Sequence, residues 1–373
     1  MSPSNPVRRV SGAASTAVVA VFALAGLGCW VEQVQIEPDG WIPDGGRDGD
    51  GTGGDGTDGP SVELCNGLDD DGDGATDEGF DCIAGEERPC AAGACDGVQA
   101  CDGTSCTWRA CDFGPPPVHD TCAGALELSA SGEYEGTTCG AADDHAPPPS
   151  CAGGGGADVW YRFVVTQRET VYADTVDGRT WNSVLQLRWG ECAGGLPPVV
   201  CADDQCPGVS GGRRSQLLEV LDPGTYYLVV DGGSAGEAGS FRLRFQRAAC
   251  GEPSTFTGNG NFDGTTAGRA DEWAGSCGGE SSPDVFYAFG LCEPRTVTAS
   301  TCSPMSGFDS VLAFLGSGCA ATDEVACNDD DPACHYGSGR STVTATLPVG
   351  LNFLVVDGRR STGGAYRLTV SGI

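Results

Sequence analysis

The sequence predicts a mainly β protein: two tandem antiparallel β-sandwiches after a small disulfide-rich module and a disordered acidic tether. Three observations carry this. Gly 60 and Pro 22 among 373 residues argue against helix bundles, and apolar blocks rich in Val, Tyr, Phe, Trp and Leu stand between turn residues. The second half of the chain repeats itself at an offset of about 126 residues. The 21 cysteines suit an oxidising compartment, where small domains rely on covalent crosslinks.

Residues 1–28 read as an export signal: Arg8 and Arg9, an apolar run from Ala13 to Leu27, then small residues before Cys29. The junction LAGLGC resembles a bacterial lipoprotein processing site, which implies that Cys29 is lipidated and that the protein is an outer-membrane or cell-surface lipoprotein held to the membrane by its acyl chains. Ala23-Leu24-Ala25 offers an ordinary cleavage site, and then the protein is secreted.

Residues 29–60 are mostly Gly, Asp, Thr and Pro, too poor in apolar surface to offset the entropy of ordering them, and are expected to form the tether. Fifteen acidic residues and Arg47 lie between Glu37 and Asp81 and supply close to half of the formal charge of −32. All 20 basic residues are arginine, against 52 acidic ones. Such a polyanion repels nucleic acid, which is excluded as a partner.

In the module at 61–112, Asp69, Asp71 and Asp73 alternate, Gly74 follows where a loop turns, and Asp77 comes next. This spacing matches the opening of a calcium loop that takes oxygen ligands from positions 1, 3, 5 and 9 around a glycine at 6. Position 12 is Phe80, so Glu78 or Asp81 would have to close the set. The alternative is a solvated acidic turn. The stretch resembles the MopE-type metal-binding motif of bacterial surface proteins, matched by Glu63, Cys65, Asn66, Gly67, Asp69, Asp70, Asp71, Asp73, Gly74, Asp77 and Glu78. Gly72 stands where that motif has its second cysteine, so Cys65 must pair elsewhere or stay free. The other six cysteines lack zinc-site spacing and are expected to form disulfides, although seven is an odd count.

From residue 119 the repeat runs as two domains, 119–247 and 248–373. DVWYRFVV at Asp158 answers DVFYAFG at Asp284, WNSVLQLRWGEC answers FDSVLAFLGSGC, and LDPGTYYLVVDG answers LPVGLNFLVVDG. Cys122, Cys151, Cys192, Cys201 and Cys206 correspond to Cys250, Cys277, Cys319, Cys327 and Cys334. Val159, Tyr161 and Phe163 alternate with Trp160 and Arg162, as expected for one core face and one solvent face. Tyr226 to Val230 is continuously apolar and expected in a central strand. These blocks resemble the bacterial pre-peptidase C-terminal domain family, which implies jelly-roll-like sandwiches attached to secreted enzymes or built into surface proteins, with calcium bound in related collagen-binding versions.

Asp203 and Asp204 in the first copy, and Asn328, Asp329, Asp330 and Asp331 in the second, place oxygen ligands at a strand end beside cysteines, as calcium sites or as turn-formers. Asp231 and Asp357 precede glycines and are expected to form turns, while Asn182 and Asp309 read as caps of a bulge or turn. Ser210 and Ser234 lie in G-x-S-x-G strings that a glycine-rich chain produces by chance, and His119, His145 and His335 are expected at the surface. Trp181, Trp189 and Trp273 either pack inside or stack on sugars. No third globular region is visible to hold a catalytic domain. The expectation is therefore a non-enzymatic, calcium-stabilised surface protein that binds extracellular polysaccharide or protein. The alternatives are an accessory part of a secreted hydrolase or protease system, and a metal-capture surface protein.

Overall fold

The computed structural model describes residues 62–151, 154–176, 181–192, 198–207 and 213–373. The signal segment, Cys29, the tether and Ser210 lie outside the described residues. The acidic module folds around one hairpin, β1 (Glu87–Ala92) with β2 (Cys95–Ala100).

Sandwich 1 contains β3 (Leu126–Glu127), β4 (Gly132–Thr137), β5 (Val159–Val165), β6 (Glu169–Thr175), β7 (Ser183–Trp189), β8 (Pro198–Asp203), the short β9 (Cys206–Pro207) and β10 (Arg213–Arg214), β11 (Gln216–Leu221), β12 (Gly224–Gly232) and β13 (Ser240–Ala248). Its two sheets run β11-β6-β13-β4 and β3-β5-β12-β7-β8. Sandwich 2 contains β14 (Ser254–Thr255), β15 (Gly260–Thr265), β16 (Val285–Leu291), β17 (Arg295–Ser300), β18 (Ser310–Leu315), β19 (Glu324–Asn328), β20 (Thr342–Leu347), β21 (Gly350–Gly358) and β22 (Ala365–Ser371). Its sheets run β15-β22-β17-β20 and β14-β16-β21-β18-β19, the same order strand for strand. Pairing is antiparallel except where the two-residue strands β3 and β14 join β5 and β16. The protein is thus nearly all β, and the duplicated sequence gives a duplicated topology.

Each sandwich closes over its own core. Tyr161, Phe163, Leu185, Leu228 and Phe245 are among the buried residues of the first, and Phe289, Phe314, Leu354 and Leu368 of the second. The apolar run Tyr226–Val230 lies in β12, between β5 and β7. The alternation of β5 does not leave a solvent face at Trp160, which is buried beside Tyr227 and Val229. The Cys122–Cys192 disulfide and the His145 ring, 4.9 Å from the Trp160 ring, cover it.

The sandwiches also pack on each other. Tyr172, Leu218 and Ala248 of the first join Phe286, Ala288, Leu351 and Phe353 of the second in one apolar cluster. The Leu351 amide donates to Gln246 Oε1 at 2.7 Å across the same seam. This contact covers the outward face of β6 at Tyr172, while Val171 and Ala173 lie in the core of sandwich 1, so β6 is buried on both faces although its sequence ETVYADT carries four polar residues.

Every cysteine among the described residues is in a disulfide. Cys65–Cys106, Cys82–Cys101 and Cys90–Cys111 hold the module, and its seventh cysteine, Cys95, pairs with Cys139 of sandwich 1. The odd count therefore reflects a bridge between modules. Cys122–Cys192 and Cys151–Cys201 match Cys250–Cys319 and Cys277–Cys327. The fifth correspondence breaks down: Cys334 pairs with Cys302 inside sandwich 2, whereas Cys206 reaches across to Cys292. Val176 stands in sandwich 1 where sandwich 2 has Cys302, which removes the internal partner.

Candidate metal-binding loops

In sandwich 2 the chain leaves β19 through Asn328, Asp329 and Asp330, and these residues divide by role. Asn328 is spent locally: its Oδ1 accepts the Thr342 amide at 3.0 Å and its Nδ2 donates to the Asp330 carbonyl. Asp331 caps the next turn by accepting the Ala333 amide at 2.9 Å. Hydrogen bonds from Thr342 and Ala333 hold its carboxyl below the ordinary range. Asp329 and Asp330 instead converge with Asp309, each offering an oxygen within 4.8 Å of the others. The Oδ1 atoms of Asp309 and Asp329 are buried and have no hydrogen-bond partner. Arg359 pairs with the other oxygen of Asp329, and the Gly339 amide donates to Asp330 Oδ1 at 2.9 Å. Three carboxylates against one guanidinium leave net negative charge around two inward oxygens, a hard-oxygen set that calcium would fit.

The signal for Asp309 was present in sequence. Asn182 and Asp309 hold the same place before Ser-Val-Leu in the two copies, and Asp203 opposes Val184 on β7 as Asp329 follows β19 beside Val311 of β18. Strand pairing brings that position next to the Asp-Asp loop. In sandwich 1 the corresponding set is Asn182, Asp203 and Asp204, with Asp204 in the left-handed region at φ +65°. Cys201 and Cys327 anchor the two loops to Cys151 and Cys277.

The acidic module forms two overlapping groups, Asp69 with Asp71 and Asp73, and Glu63 with Asp71 and Glu78. Asp71 belongs to both. Asp77 stands apart: it is buried, and its carboxylate accepts the amides of Asn66, Gly67 and Ala84 at 2.8–3.1 Å. It fixes the loop around the acids. Glu63 does the same from the opposite side, accepting the amides of Asp70, Asp71 and Asp77, and it was visible beforehand only as one residue of the matched motif. Burial, with the nearby charges of Asp73, Glu63 and Asp71, raises the Glu78 carboxyl.

Other expected positions fall elsewhere. Asp231 and Asp357 are wholly buried within β12 and β21, so they do not form exposed turns. His119 is buried, against expectation, because it packs on the Tyr161 ring at 5.1 Å; His335 is exposed. Trp181 and Trp273 are core residues and Trp189 is exposed. Ser234 is exposed in the turn between β12 and β13.

No family model matches the chain, and no curated protein does. Among solved structures it is similar to the pre-peptidase C-terminal domain of collagenase from Bacillus anthracis, at 13% identity and a TM-score of 0.23, over 36% of this chain and 100% of that one. It is also similar to the CUB1-EGF-CUB2 domains of rat MASP-1, at 10% identity and a TM-score of 0.18, over 66% of this chain and 99% of that one.

Proposed function

We propose that the chain is an exported, non-catalytic surface protein, tethered through Cys29, whose calcium-stabilised modules bind extracellular polysaccharide or protein. The observation that carries the calcium reading is the Asp309–Asp329–Asp330 set with its two buried, unpartnered oxygens. A buried carboxylate oxygen without a donor is costly, and a divalent cation offsets that cost. The ten disulfides support an oxidising, extracellular setting. They use 20 of the 21 cysteines, so the framework needs nothing from Cys29, which is left for a lipid. No helix of the described residues is long and apolar enough to cross a membrane.

Isothermal calorimetry with calcium and magnesium, together with thermal melts in chelator, tests this. Calcium binding with a rise in Tm is the expected result, and an unchanged Tm with no heat of binding overturns it. Metal capture by the acidic module is a second reading, favoured by the shared Asp71. Calcium, copper and zinc titrations of an Asp71→Asn variant separate it from the sandwich sites.

A further inference from the structure

A cavity of about 600 Å³ opens along the seam between the sandwiches. β8 contributes Val200 and Ala202 to its lining, β11 contributes Leu218 and Glu219, and sandwich 2 contributes Phe256 and Leu291. β8 and β11 each end the strand order of their sheet, so the cavity is bounded by two strand edges. The Thr175 amide donates to the Ser215 carbonyl, and that register turns the main chain of Leu217, Glu219 and Leu221 toward β6. The main-chain groups of Gln216, Leu218 and Val220 therefore point away from the sheet. Among the described residues no main-chain hydrogen bond meets them. An edge of this kind is a template for another strand.

The duplication shows that the fold does not require Glu219. The Thr301 amide donates to the Ser341 carbonyl as Thr175 does to Ser215, which places Ala345 where sandwich 1 has Glu219. Ala345 packs on the core of sandwich 2. Glu219 instead puts a half-buried, still accessible carboxylate at the mouth between the two edges. Burial raises its pKa, and no charge or hydrogen bond of a described residue opposes that effect. The two arginines at the cavity are engaged elsewhere: Arg214 donates to the Val176 carbonyl at 2.6 Å, and Arg295 pairs with Glu293 at 2.9 Å.

We propose that this cleft binds an extended, basic segment of a partner polypeptide, added as a strand to the free edge of β11 with a lysine or arginine side chain against Glu219. The proposal rests on the binding-protein reading above, narrows the ligand to protein, and uses a site separate from the acidic loops. In strand addition the main-chain bonds supply affinity and the alternating side chains supply selection. A residue opposite Glu219 presents its side chain on the same face, so a basic one forms a cross-strand ion pair in a partly desolvated setting. Its inward neighbours meet Leu217 and Leu221, which favours apolar side chains there. The chain's charge of −32 attracts a basic segment. A saccharide has no amide ladder to match the strand edge.

The test uses the full chain and fluorescein-labelled heptapeptides followed by polarisation. The peptide Thr-Val-Thr-Lys-Thr-Val-Thr sets its lysine opposite Glu219 and its valines inward, and is expected to bind. A counterpart with glutamate at the centre, and a version N-methylated at the threonines that face β11, are each expected to bind about tenfold more weakly or worse. Glu219→Ala copies sandwich 2, so it is expected to keep Tm while weakening the lysine peptide about tenfold. Glu219→Lys is expected to prefer the glutamate peptide. No binding of the lysine peptide, with or without binding of cellotetraose in its place, overturns the proposal, as does binding unchanged by N-methylation or unchanged in both Glu219 variants. The calcium-dependent rise in Tm, read on the same samples, separates the two failures: if it persists without peptide binding, only the strand-addition cleft falls, and if the peptide binds without it, only the calcium reading falls.

Discussion

Asp284 and Asp357 face each other across the β16–β21 ladder, in the register set by the Val285–Val356 pair beside them. Asp158 and Asp231 stand in the same relationship beside Val159 and Val230. All four are buried. Directly opposed carboxylates cannot both ionise cheaply in such surroundings. Burial first, then the neighbouring acids, pushes Asp284 up to about 6 and Asp357 to about 8, with Asp158 at about 7 and Asp231 at about 8.

These raised values favour the protonated acids in the fold. Their contribution to stability is complete below pH ~4, the ordinary carboxyl range, and is lost as pH rises through about 8. Tm is expected to fall between pH 5 and pH 9, and Asp357→Asn should flatten that fall. Thermal melts of the two proteins across this range check it. General repulsion among acidic residues persists in the variant, so parallel curves would rule out the pair as the cause.

Calcium affinity should depend on Asp309 more than on Asp331. Asp309→Asn removes a carboxylate of the convergent set and is expected to weaken calcium binding about tenfold, whereas Asp331→Ala loses the hydrogen bonds from Ala333 and Thr342 but no member of that set. Calorimetry on both variants decides whether the ligands follow the carboxylate grouping or the acidic string as written in sequence.

Cys206–Cys292 ties the sandwiches together beside an interface that is itself apolar. A Cys206→Ser, Cys292→Ser double variant is expected to lose about 2–4 kcal/mol and to unfold in two calorimetric steps. A single unchanged transition would show that the apolar seam alone couples the domains.

Arg244 makes a buried ion pair with Asp174 at 3.0 Å and a second pair with Glu133, while the Tyr172 hydroxyl donates to Asp174 at 2.6 Å. Removing one partner leaves a buried charge uncompensated. Arg244→Met alone should therefore cost about 3–5 kcal/mol, and Arg244→Met with Asp174→Leu much less. Denaturant melts of the single and double variants measure the difference.

What the sequence made legible was the repeat, because matching blocks in one order imply a shared strand order, and the structure shows that order twice. The alternating pattern also marked the core face of β5. What it could not show was contact between domains. The string ETVYADT is buried throughout: packing against sandwich 2 covers its outward residue Tyr172, while Arg247 holds Glu169 and Arg244 holds Asp174 within sandwich 1. Within sandwich 2, the shared place before Ser-Val-Leu marked Asp309, but it lies about 20 residues from Asp329 and the β18–β19 pairing is what makes them neighbours.

Asp77 separates scaffold from ligand in the acidic module. The amides of Ala84, Asn66 and Gly67 hold its carboxyl below the ordinary range, against the opposing effect of burial. A lowered value stabilises the fold above the ordinary carboxyl pKa and is lost as pH falls through the folded one. Asp77→Asn offers one acceptor oxygen where the carboxylate uses two, so the module should melt earlier at pH 7 and match the parent at pH 2. Asp73 is exposed and accepts only the Ala75 amide, at 2.8 Å, so Asp73→Asn should leave the melt unchanged and weaken calcium binding. Melts and calcium titrations of the two variants should therefore move in opposite ways. If Asp77→Asn left the melt unchanged and abolished metal binding, Asp77 would be a ligand, and the amides of Asn66, Gly67 and Ala84 would need another anchor.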